Sequence, residues 1–314
     1  MLLIKKDKTE IIKEIAMEQI KKIDIHAHAT AFPQYAPRFE YNGCTMPSVE
    51  TLLDFYERLN IEKGVLLPIV APEAQLHTIS NESCKYIVDK SPERFLWFCN
   101  VDPRAYSNSK DSNLGYLLEH YMSLGAKGVG EMTSNLYTDD PKLDNLFGFC
   151  QELGLPVTIH IAPEPSGYYG IIDELGLPRL EKMLKKYKRL KIFGHSQCFW
   201  SEIGENSDAL RNTYPGGEVK NGRLPELMRR YENLYCDFSA GSGANALMRD
   251  REHAGRFIEE FSDRLLYGCD ICARVNTFPF AFDEFLTSMR KSGEISEENY
   301  RKLVRENAIR VLKL

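Results

Sequence analysis

One pattern repeats along this chain of 314 residues: a short apolar segment, a loop, and then an amphipathic helical segment. The apolar segments have the length of buried strands, and several helical patterns begin with a capping residue such as Ser48 and stop at glycine or proline. Eight such units over this length are what a (β/α)8 barrel requires. The sequence therefore predicts an α/β fold, a TIM barrel, that forms a single domain over residues 1–314.

The predicted strands and helices alternate from the first unit to the last. The strands are expected at 22–28, 62–69, 94–101, 126–132, 156–162, 190–195, 234–239 and 265–270. The helices are expected at 48–60, 74–89, 113–124, 141–153, 177–188, 224–231, 245–261 and 298–312. An open, doubly wound sheet is the structural alternative, but it normally has fewer strands and often a glycine-rich first turn, and no such turn follows the first strand here.

The segment ahead of the barrel pattern, residues 1–21, has its own periodicity. Isoleucines recur at helical spacing among lysines and glutamates, for example Ile4, Ile11 and Ile15, which predicts an amphipathic N-terminal helical extension. The segment lacks a continuous apolar run, so we expect neither a signal peptide nor an anchor. No stretch of 18 or more apolar residues occurs in the chain, and nothing is expected to span a membrane.

The net charge and the positions of the cysteines indicate which partners and which cellular compartment to expect. A net charge of -5 argues against a general binder of nucleic acid or anionic membranes. Eight cysteines lie mostly in apolar runs, where a free thiol behaves as a small buried hydrophobe, so a reducing cytoplasm is the expected location. Cys269 and Cys272 form a C-x-x-C pair with no second pair at zinc-ribbon spacing, and we interpret this pair as coincidental.

Two histidines close the first predicted strand. His26 and His28 stand two residues apart, so in an extended strand both imidazoles point to the same side and can reach one ion. On a helix the two side chains would diverge by about 200°. Asp24 is expected on the same face, one step further down the strand.

Polar residues also end other predicted strands, at positions far apart in the sequence. They are Glu131, His160, His195 and Asp270. Because the carboxyl ends of all barrel strands meet at one face, these side chains are expected to ring one opening together with His26 and His28. Imidazoles with a carboxylate suit zinc, and also manganese, iron or nickel, so the sequence predicts a divalent-metal site with zinc as the first choice.

Three further histidines fall within predicted helices rather than at strand ends. They are His77, His120 and His253. We expect them to be solvated or capping residues that take no part in the site.

In these strand-end motifs the chain resembles the amidohydrolase superfamily, specifically the amidohydrolase-related group of metal-dependent TIM-barrel hydrolases and decarboxylases. The resembling motifs are Asp24-Ile25-His26-Ala27-His28, Ile159-His160, Phe193-Gly194-His195 and Gly268-Cys269-Asp270. The resemblance extends over nearly the whole chain, from Ile23 to Leu312. It is specific for the family and leaves the substrate open.

The resemblance implies a role for each histidine of the site. His26 and His28 would hold a first metal ion together with Asp270, and His160 would be a further ligand. His195 would either bind a second metal ion or act beside the metal as an acid and hydrogen-bond donor.

The fourth strand offers two candidates for a ligand that bridges two metal ions. Binuclear relatives carry a carboxylated lysine or a glutamate there. Glu131 lies at the carboxyl end of the strand and is the better candidate, whereas Lys127 is expected lower in the barrel.

The implied reaction is hydrolysis of a C–N, C–O or P–O bond by a metal-activated water. Asp270 would take the proton of the water and return it to the leaving group, and His195 would stabilise charge on the substrate oxygen. The alternative is non-oxidative decarboxylation of a small, aromatic or other carboxylic acid, which uses the same ligands. Two ions bridged by Glu131 would favour hydrolysis, whereas one ion with an arginine-lined pocket would favour decarboxylation.

Two other classes of protein fit less well. A non-catalytic binding protein predicts a broken ligand set, and this ligand set looks whole. A nuclease predicts a basic surface, which the net charge of -5 does not provide.

Three long loops follow predicted strands, at residues 30–47, 163–176 and 198–222, and offer substrate contacts. The candidates are Tyr35, Arg38, Tyr168, Trp200 and Arg211. Aromatic residues with a few arginines predict a small-molecule substrate that is partly apolar and can be anionic. Barrels of this type often pair, so a homodimer is also considered.

Overall fold

The computed structural model describes residues 20–314 and has the architecture of a TIM barrel. The N-terminal helical extension predicted for residues 1–21 lies outside the described residues, apart from residues 20 and 21. No helix in the part of the chain that the structure describes is long and apolar enough to cross a membrane.

All eight predicted strands are present, and each is shorter than predicted. The strands are β1 (Lys22–Ala27), β2 (Ile61–Leu66), β3 (Phe95–Trp97), β4 (Val129–Met132), β5 (Val157–Ala162), β6 (Ile171–Ile172), β7 (Ile192–His195), β8 (Leu234–Asp237) and β9 (Leu265–Leu266). The additional strand is β6, which lies in the predicted loop 163–176 and pairs in parallel with β5. The other strands pair in parallel as β1-β2-β3 and as β4-β5-β7-β8-β9.

The seam between β3 and β4 is joined by single backbone hydrogen bonds rather than a continuous ladder. The Cys99 amide donates to the Gly128 carbonyl at 2.9 Å, and the Gly130 amide donates to the Cys99 carbonyl at 2.9 Å. These bonds connect the two sheets on one side.

The second seam lies between β1 and the segment that follows β9. The Ile25 amide donates to the Tyr267 carbonyl at 2.9 Å, and the Asp270 amide donates to the His26 carbonyl at 2.9 Å. The two seams close the barrel, and the second one places Asp270 directly beside the first histidine.

The helices pack outside the strands. They are α1 (Val49–Leu59), α2 (Asn81–Lys90), α3 (Leu114–Ser123), α4 (Pro141–Leu153), α5 (Pro178–Lys186), α6 (Gln197–Trp200), α7 (Arg223–Arg230), α8 (Ala240–Met248), α9 (Arg251–Phe261), α10 (Phe278–Ser292), α11 (Glu297–Arg301) and α12 (Asn307–Leu312). A π-helical turn, Lys302–Glu306, joins α11 to α12.

The helix predicted at 74–89 is wrong in its first half. The structure has a short 3-10 helix, Pro72–His77, and α2 begins only at Asn81. Between them the buried Ile79 forms an antiparallel bridge with Ile69, which takes its backbone out of helical geometry.

The helix predicted at 245–261 is in fact two helices, α8 and α9. Asp250 has an extended backbone, and its carboxylate accepts a hydrogen bond from the His253 amide at 3.0 Å. This is an N-cap, which ends one helix and starts the next.

Helix α10 has no counterpart among the helices predicted from the sequence. Its signals are present: Pro279 occupies the first turn, Gly293 ends the helix with φ of 78°, and Phe282, Leu286 and Met289 form a buried face. Proline is well tolerated in a first helical turn.

A buried apolar layer supports the carboxyl end of the barrel. Phe193 and Tyr235 belong to one cluster of buried residues that side chains of several strands build together with the C-terminal helix. Each lies two residues before a polar residue of its own strand, His195 and Asp237. Because side chains alternate along a strand, the polar residues point to the same side, one layer above the apolar ones.

Asn100 links three strand ends beneath the opening. Its Nδ2 donates to the Pro68 carbonyl at 2.8 Å and to the Glu131 carbonyl at 2.6 Å. Its backbone amide donates to Asn81 Oδ1 at 2.8 Å. The side chain is buried and donates a hydrogen bond to each carbonyl, and the Pro68 carbonyl also accepts one from the Glu131 amide at 3.2 Å.

We therefore expect Asn100→Ala to lower the free energy of unfolding by about 2 kcal/mol, because it removes two hydrogen bonds between buried groups. Chemical denaturation monitored by circular dichroism measures this change. Asn113→Ala is the matched control, since Asn113 is exposed and caps α3 without a side-chain hydrogen bond. Equal unfolding midpoints for the two variants would contradict the role given to Asn100.

Candidate metal centre

The two histidines of β1 and the loop after it converge as predicted. His26 Nε2 and His28 Nε2 lie 3.0 Å apart, and both side chains are buried. Their ring planes are at 78° to each other. One pair of imidazole nitrogens therefore faces a common point at the carboxyl end of the barrel.

The opposite nitrogen of each ring is anchored. His26 Nδ1 donates to Asp237 Oδ2 at 2.6 Å, and His28 Nδ1 donates to the Leu67 carbonyl at 3.0 Å. Since a carbonyl only accepts, the Nδ1 of His28 carries the proton and its Nε2 presents a lone pair when the ring is neutral. When His26 is neutral, its Nδ1 carries the proton that it donates to the Asp237 carboxylate, so its Nε2 also presents a lone pair. The Nε2 lone pairs of the two neutral rings then face each other.

Two carboxylates lie close to the Nε2 atoms of His26 and His28. Glu131 Oε2 lies 3.6 Å from His26 Nε2 and 3.5 Å from His28 Nε2. Asp270 Oδ1 lies 3.9 Å and 3.4 Å from the same two atoms. Both carboxylates thus face the pair of imidazoles, and the ligand atoms of His26, His28 and Glu131 lie within 4.8 Å of one another.

The charges of this cluster shift the pKa values of its members. Burial alone would lower the pKa of His26, but the carboxylates of Asp237, Asp270 and Glu131 raise it well above its ordinary value. Burial alone would raise the pKa values of Glu131 and Asp270, but His26 and the neighbouring histidines hold both below their usual range. The site is therefore rich in negative charge and favours a cation.

His160 and His195 extend the cluster across the barrel. Ligand atoms of Glu131, His160 and His195 lie within 4.8 Å of one another, as do those of His26, His195 and Asp270. Burial lowers the pKa of His160 to about 4, and burial followed by the charge of His26 lowers that of His195. Both imidazoles are therefore neutral at physiological pH, which is the form that binds metals.

A divalent cation fits this arrangement. The donors are imidazole nitrogens and carboxylate oxygens, which suit zinc and manganese. The facing lone pairs of His26 and His28 and the excess of carboxylates both call for positive charge between them. His160 Nδ1 is buried and makes no hydrogen bond with any described residue.

Asp24 lies beside the centre rather than in it. Its Oδ1 accepts from the His26 amide at 3.0 Å and the Cys269 amide at 2.8 Å, and its Oδ2 accepts from the Tyr56 hydroxyl at 2.8 Å. Burial raises its pKa to about 7. Asp24 joins the strand of the histidines to the segment that contains Asp270, so it positions both.

Asp237 and Ser239 are not among the site residues predicted from the sequence, although both lie in the strand predicted at 234–239. Asp237 orients His26, and Ser239 Oγ lies 2.9 Å from His195 Nδ1. Their position at the carboxyl end of a barrel strand was a usable signal.

The prediction that His77 is a solvated or capping histidine of a helix is wrong. It is half-buried at the end of the 3-10 helix, and its ring centroid lies 4.8 Å from that of Phe39 and 5.4 Å from that of Tyr169. Burial, followed by the charge of His28, lowers its pKa. By contrast, His120 is exposed, as a solvated role requires. The prediction is wrong for His253, because its Nδ1 is buried without a hydrogen-bond partner among the described residues, and Asp250 rather than His253 caps α9.

Residues of the loops cover the centre. The ring centroid of Tyr169 lies 4.8 Å from that of His160. Burial and then the charge of Glu131 raise the pKa of Tyr169 well above its usual value. Cys272 Sγ lies 3.1 Å from Asp270 Oδ1, so the C-x-x-C pair places one thiol beside the centre.

The predicted substrate-binding residues fall into two groups. Tyr35, Tyr168 and Arg38 lie on exposed loops, and Tyr35 is 81% exposed. Trp200 and Arg211 are buried: Trp200 Nε1 donates to the Asp237 carbonyl at 3.0 Å, and Arg211 donates to the backbone carbonyls of the loop after β5. The latter two hold the structure around the site, and we do not propose substrate contacts for them.

The family of the chain agrees with this centre. A family model described as amidohydrolase matches residues 23–314, so the chain belongs to the amidohydrolase family. No curated protein sequence matches it.

Solved structures of the same fold include enzymes of two reaction types. The chain is similar to 2,6-dihydroxybenzoate decarboxylase from Rhizobium, with 18% identity and a TM-score of 0.60 over 93% of this chain and 98% of that one. It is similar to a probable 2-pyrone-4,6-dicarboxylic acid hydrolase from Acinetobacter baumannii, with 14% identity and a TM-score of 0.58 over 94% and 100%. A dihydroxybenzoic acid decarboxylase from Polaromonas with bound manganese is 19% identical, with a TM-score of 0.57 over 94% and 97%.

Loss of the Asp237 carboxylate should weaken metal binding, because it orients His26 and makes that imidazole a stronger ligand. We expect Asp237→Asn to lower the affinity for zinc or manganese by about 10- to 100-fold. Competition with a chromogenic chelator measures this affinity. Asp144→Asn is the control, since Asp144 pairs with Lys186 away from the centre; equal affinities in the two variants would contradict the orienting role.

Acid should release the metal. Because the carboxylates hold the pKa of His26 well above its ordinary value, protons compete for this ligand even near neutral pH. The apparent affinity should therefore rise steadily from about pH 6 to about pH 8. Titration of the metal-free protein at several pH values tests this expectation, and an affinity that does not change over that range would contradict it.

Proposed function

We propose that this protein is a metal-dependent hydrolase that cleaves a C–N, C–O or P–O bond of a small organic molecule with an activated water. The observation that supports hydrolysis is the position of Glu131. It belongs to one group of potential ligands with His26 and His28 and to a second with His160 and His195. One carboxylate can therefore serve two ions, which is the arrangement of binuclear hydrolytic sites.

We divide the ligands between two ions, with His26, His195 and Asp270 also lying within 4.8 Å of one another. His26, His28, Glu131 and Asp270 would hold the first, and Glu131 would share the second with His160 and His195. When bound, such ions act as Lewis acids and lower the pKa of a water toward neutrality. We propose zinc as the ion, from the imidazole and carboxylate donors; manganese is the alternative that the Polaromonas enzyme contains.

Asp270 is suited to act as the base. The neighbouring histidines keep its pKa low in spite of burial, so it is ionised at neutral pH. Its Oδ1 faces His26 and His28, and its Oδ2 lies 3.6 Å from His195 Nε2. The carboxylate can accept the proton of the attacking water and pass it to the leaving group.

His195 has two open roles in this proposal. Its low pKa makes it neutral, and Ser239 orients its ring through Nδ1. In this state it can bind the second ion, or it can donate a hydrogen bond to the substrate oxygen.

Decarboxylation of a small carboxylic acid is the second candidate. The similarity to decarboxylases of dihydroxybenzoate and of 5-carboxyvanillate over nearly the whole chain favours it. The same ligands would hold a single ion, and Glu131 would then not bridge.

Metal stoichiometry and product analysis distinguish the two candidates. We expect about two ions per chain in the wild type and about one in Glu131→Gln, together with hydrolysis of a member of an amide, lactone and phosphoester panel. Asp270→Asn should lower that activity by at least about 1,000-fold. Glu57→Gln serves as a control, because Glu57 is exposed and pairs with Arg94 away from the centre.

One ion in both the wild type and Glu131→Gln, with carbon dioxide released from aromatic carboxylic acids, would overturn hydrolysis in favour of decarboxylation. Full activity in Asp270→Asn would overturn the role of that carboxylate. Thermal denaturation of each variant in the metal-free state would separate loss of function from loss of fold.

The setting of the enzyme is also a proposal. The eight cysteines are free thiols, which supports a reducing, cytoplasmic location. A small molecule is the proposed partner, and nucleic acid and membranes are not. A homodimer stays a prediction from the fold.

A further inference from the structure

The ring of Tyr169 lies against the metal centre, near the end of the loop that joins β5 to β6. Its centroid is 4.8 Å from that of His160, a candidate ligand, and 5.4 Å from that of His77. The side chain is partly buried. The reaction proposed above gives Tyr169 no role, although its ring contacts a candidate ligand.

The backbone next to Tyr169 is fixed to the segment that follows β4. The Gly170 amide donates to the Thr133 carbonyl at 2.8 Å, and Asn135 Nδ2 donates to the Gly170 carbonyl at 3.3 Å. Gly170 has φ of 116°, and a Cβ atom there would lie 2.7 Å from His160 Nδ1. The loop thus comes as close to His160 as only a glycine permits, and this holds the Tyr169 ring over the candidate ligand.

The hydroxyl of Tyr169 makes no hydrogen bond with any residue in the range 20–314. Other partly or fully buried tyrosines of the chain do: the Tyr56 hydroxyl donates to Asp24 Oδ2 at 2.8 Å, and the Tyr187 hydroxyl donates to the Asp144 carbonyl at 2.7 Å. A tyrosine hydroxyl that is withdrawn from bulk water usually has a hydrogen-bond partner. The partner of this one is therefore a small molecule in the space over the centre.

The surroundings of the phenol place it over the opening of the barrel. Burial raises the pKa of Tyr169 well above its usual value, and the neighbouring Glu131, Cys272 and Asp270 raise it further. Glu131 lies on β4 and Asp270 follows β9, and three strands separate β4 from β9 in either direction around the barrel. A phenol that is close enough to respond to both carboxylates lies between them, above the candidate ligands.

We propose that Tyr169 is a further catalytic residue, whose hydroxyl donates a hydrogen bond to the substrate oxygen that becomes negatively charged during the reaction. The inference rests on the proposed function in placing the reacting bond at the metal centre. A phenol has an ordinary pKa of about 10 and is therefore a donor at neutral pH. A donor that is fixed in place before the reaction stabilises such an oxygen effectively, because no group has to reorient when the charge develops.

The hydrogen bond belongs to one step of the hydrolysis. The water oxygen forms a bond to the carbonyl carbon or phosphorus, its proton passes to Asp270, and an electron pair of the C=O or P=O bond moves onto the oxygen that Tyr169 contacts. The bond to the leaving group then breaks, that electron pair returns, and the leaving group takes the proton from Asp270. The proton of Tyr169 stays on its own oxygen throughout.

Tyr169→Phe tests the hydroxyl alone, because phenylalanine keeps a ring against His160 and His77. With a substrate from the amide, lactone and phosphoester panel, we expect kcat to fall by about 100-fold and KM to change by less than about twofold. The metal content per chain should equal that of the wild type. Steady-state kinetics and elemental analysis measure the three quantities, and a fall in metal content would make Tyr169 a structural residue of the centre and overturn the inference.

Tyr116→Phe is the matched control, since Tyr116 is 63% exposed on α3. Its kcat, KM and metal content should equal those of the wild type. A second measurement needs no substrate: calorimetric titration of the metal-loaded protein with inorganic phosphate, a tetrahedral oxyanion. We expect Tyr169→Phe to weaken phosphate binding by about tenfold and Tyr116→Phe to leave it unchanged.

The two measurements separate this inference from the proposed function. Hydrolysis with an unchanged kcat in Tyr169→Phe would overturn the role of the hydroxyl and leave the hydrolase standing. No hydrolysis of any panel member, with phosphate binding that depends on Tyr169, would overturn the hydrolase and leave the hydroxyl as a donor to an oxygen of the bound molecule. No hydrolysis, with phosphate binding that is absent or independent of Tyr169, would overturn both.

Discussion

The geometry of the candidate metal centre depends on the hydrogen bonds that the Nδ1 atoms of His26 and His28 make. Asp237 and the Leu67 carbonyl bind the Nδ1 atoms of the two rings, so both Nε2 atoms must face the same point. When both rings are neutral, this orientation brings like lone pairs to 3.0 Å from each other beside two carboxylates, and the raised pKa of His26 lets a proton lie between them in the absence of a metal ion. Such an arrangement is unfavourable unless a cation lies in it, and the barrel is built to maintain it.

Several buried contacts maintain that arrangement. Trp200 binds the Asp237 carbonyl, Asn100 binds the Glu131 carbonyl, and Asp24 binds the backbone of both the histidine strand and the Asp270 segment. These residues do not touch the point that the ligands share. They keep strand ends in register, and a ligand displaced by a fraction of an ångström would lose its geometry.

Local patterns in the sequence were sufficient for most of the fold. Strand and helix periodicity predicted eight strand–helix units, and the helix at 141–153 coincides with Pro141–Leu153. Errors arose where a local pattern competes with a contact made elsewhere in the chain. Ile79 leaves the predicted helix because Ile69 pairs with it.

The sequence by itself determined the class of the fold and the place of the candidate ligands at the strand ends, because residue spacing and strand order are properties of the chain. Only the tertiary structure decided which groups hydrogen-bond to the candidate ligands and orient them. It also decided which arginines lack a hydrogen-bond partner among the described residues. Asp237, Ser239 and His77 join the site through contacts between distant segments. Arg211 and Arg274 are both arginines in predicted or observed loops. The Arg211 guanidinium is buried and donates to backbone carbonyls, whereas Arg274 lines a cavity whose lining contains no carboxylate.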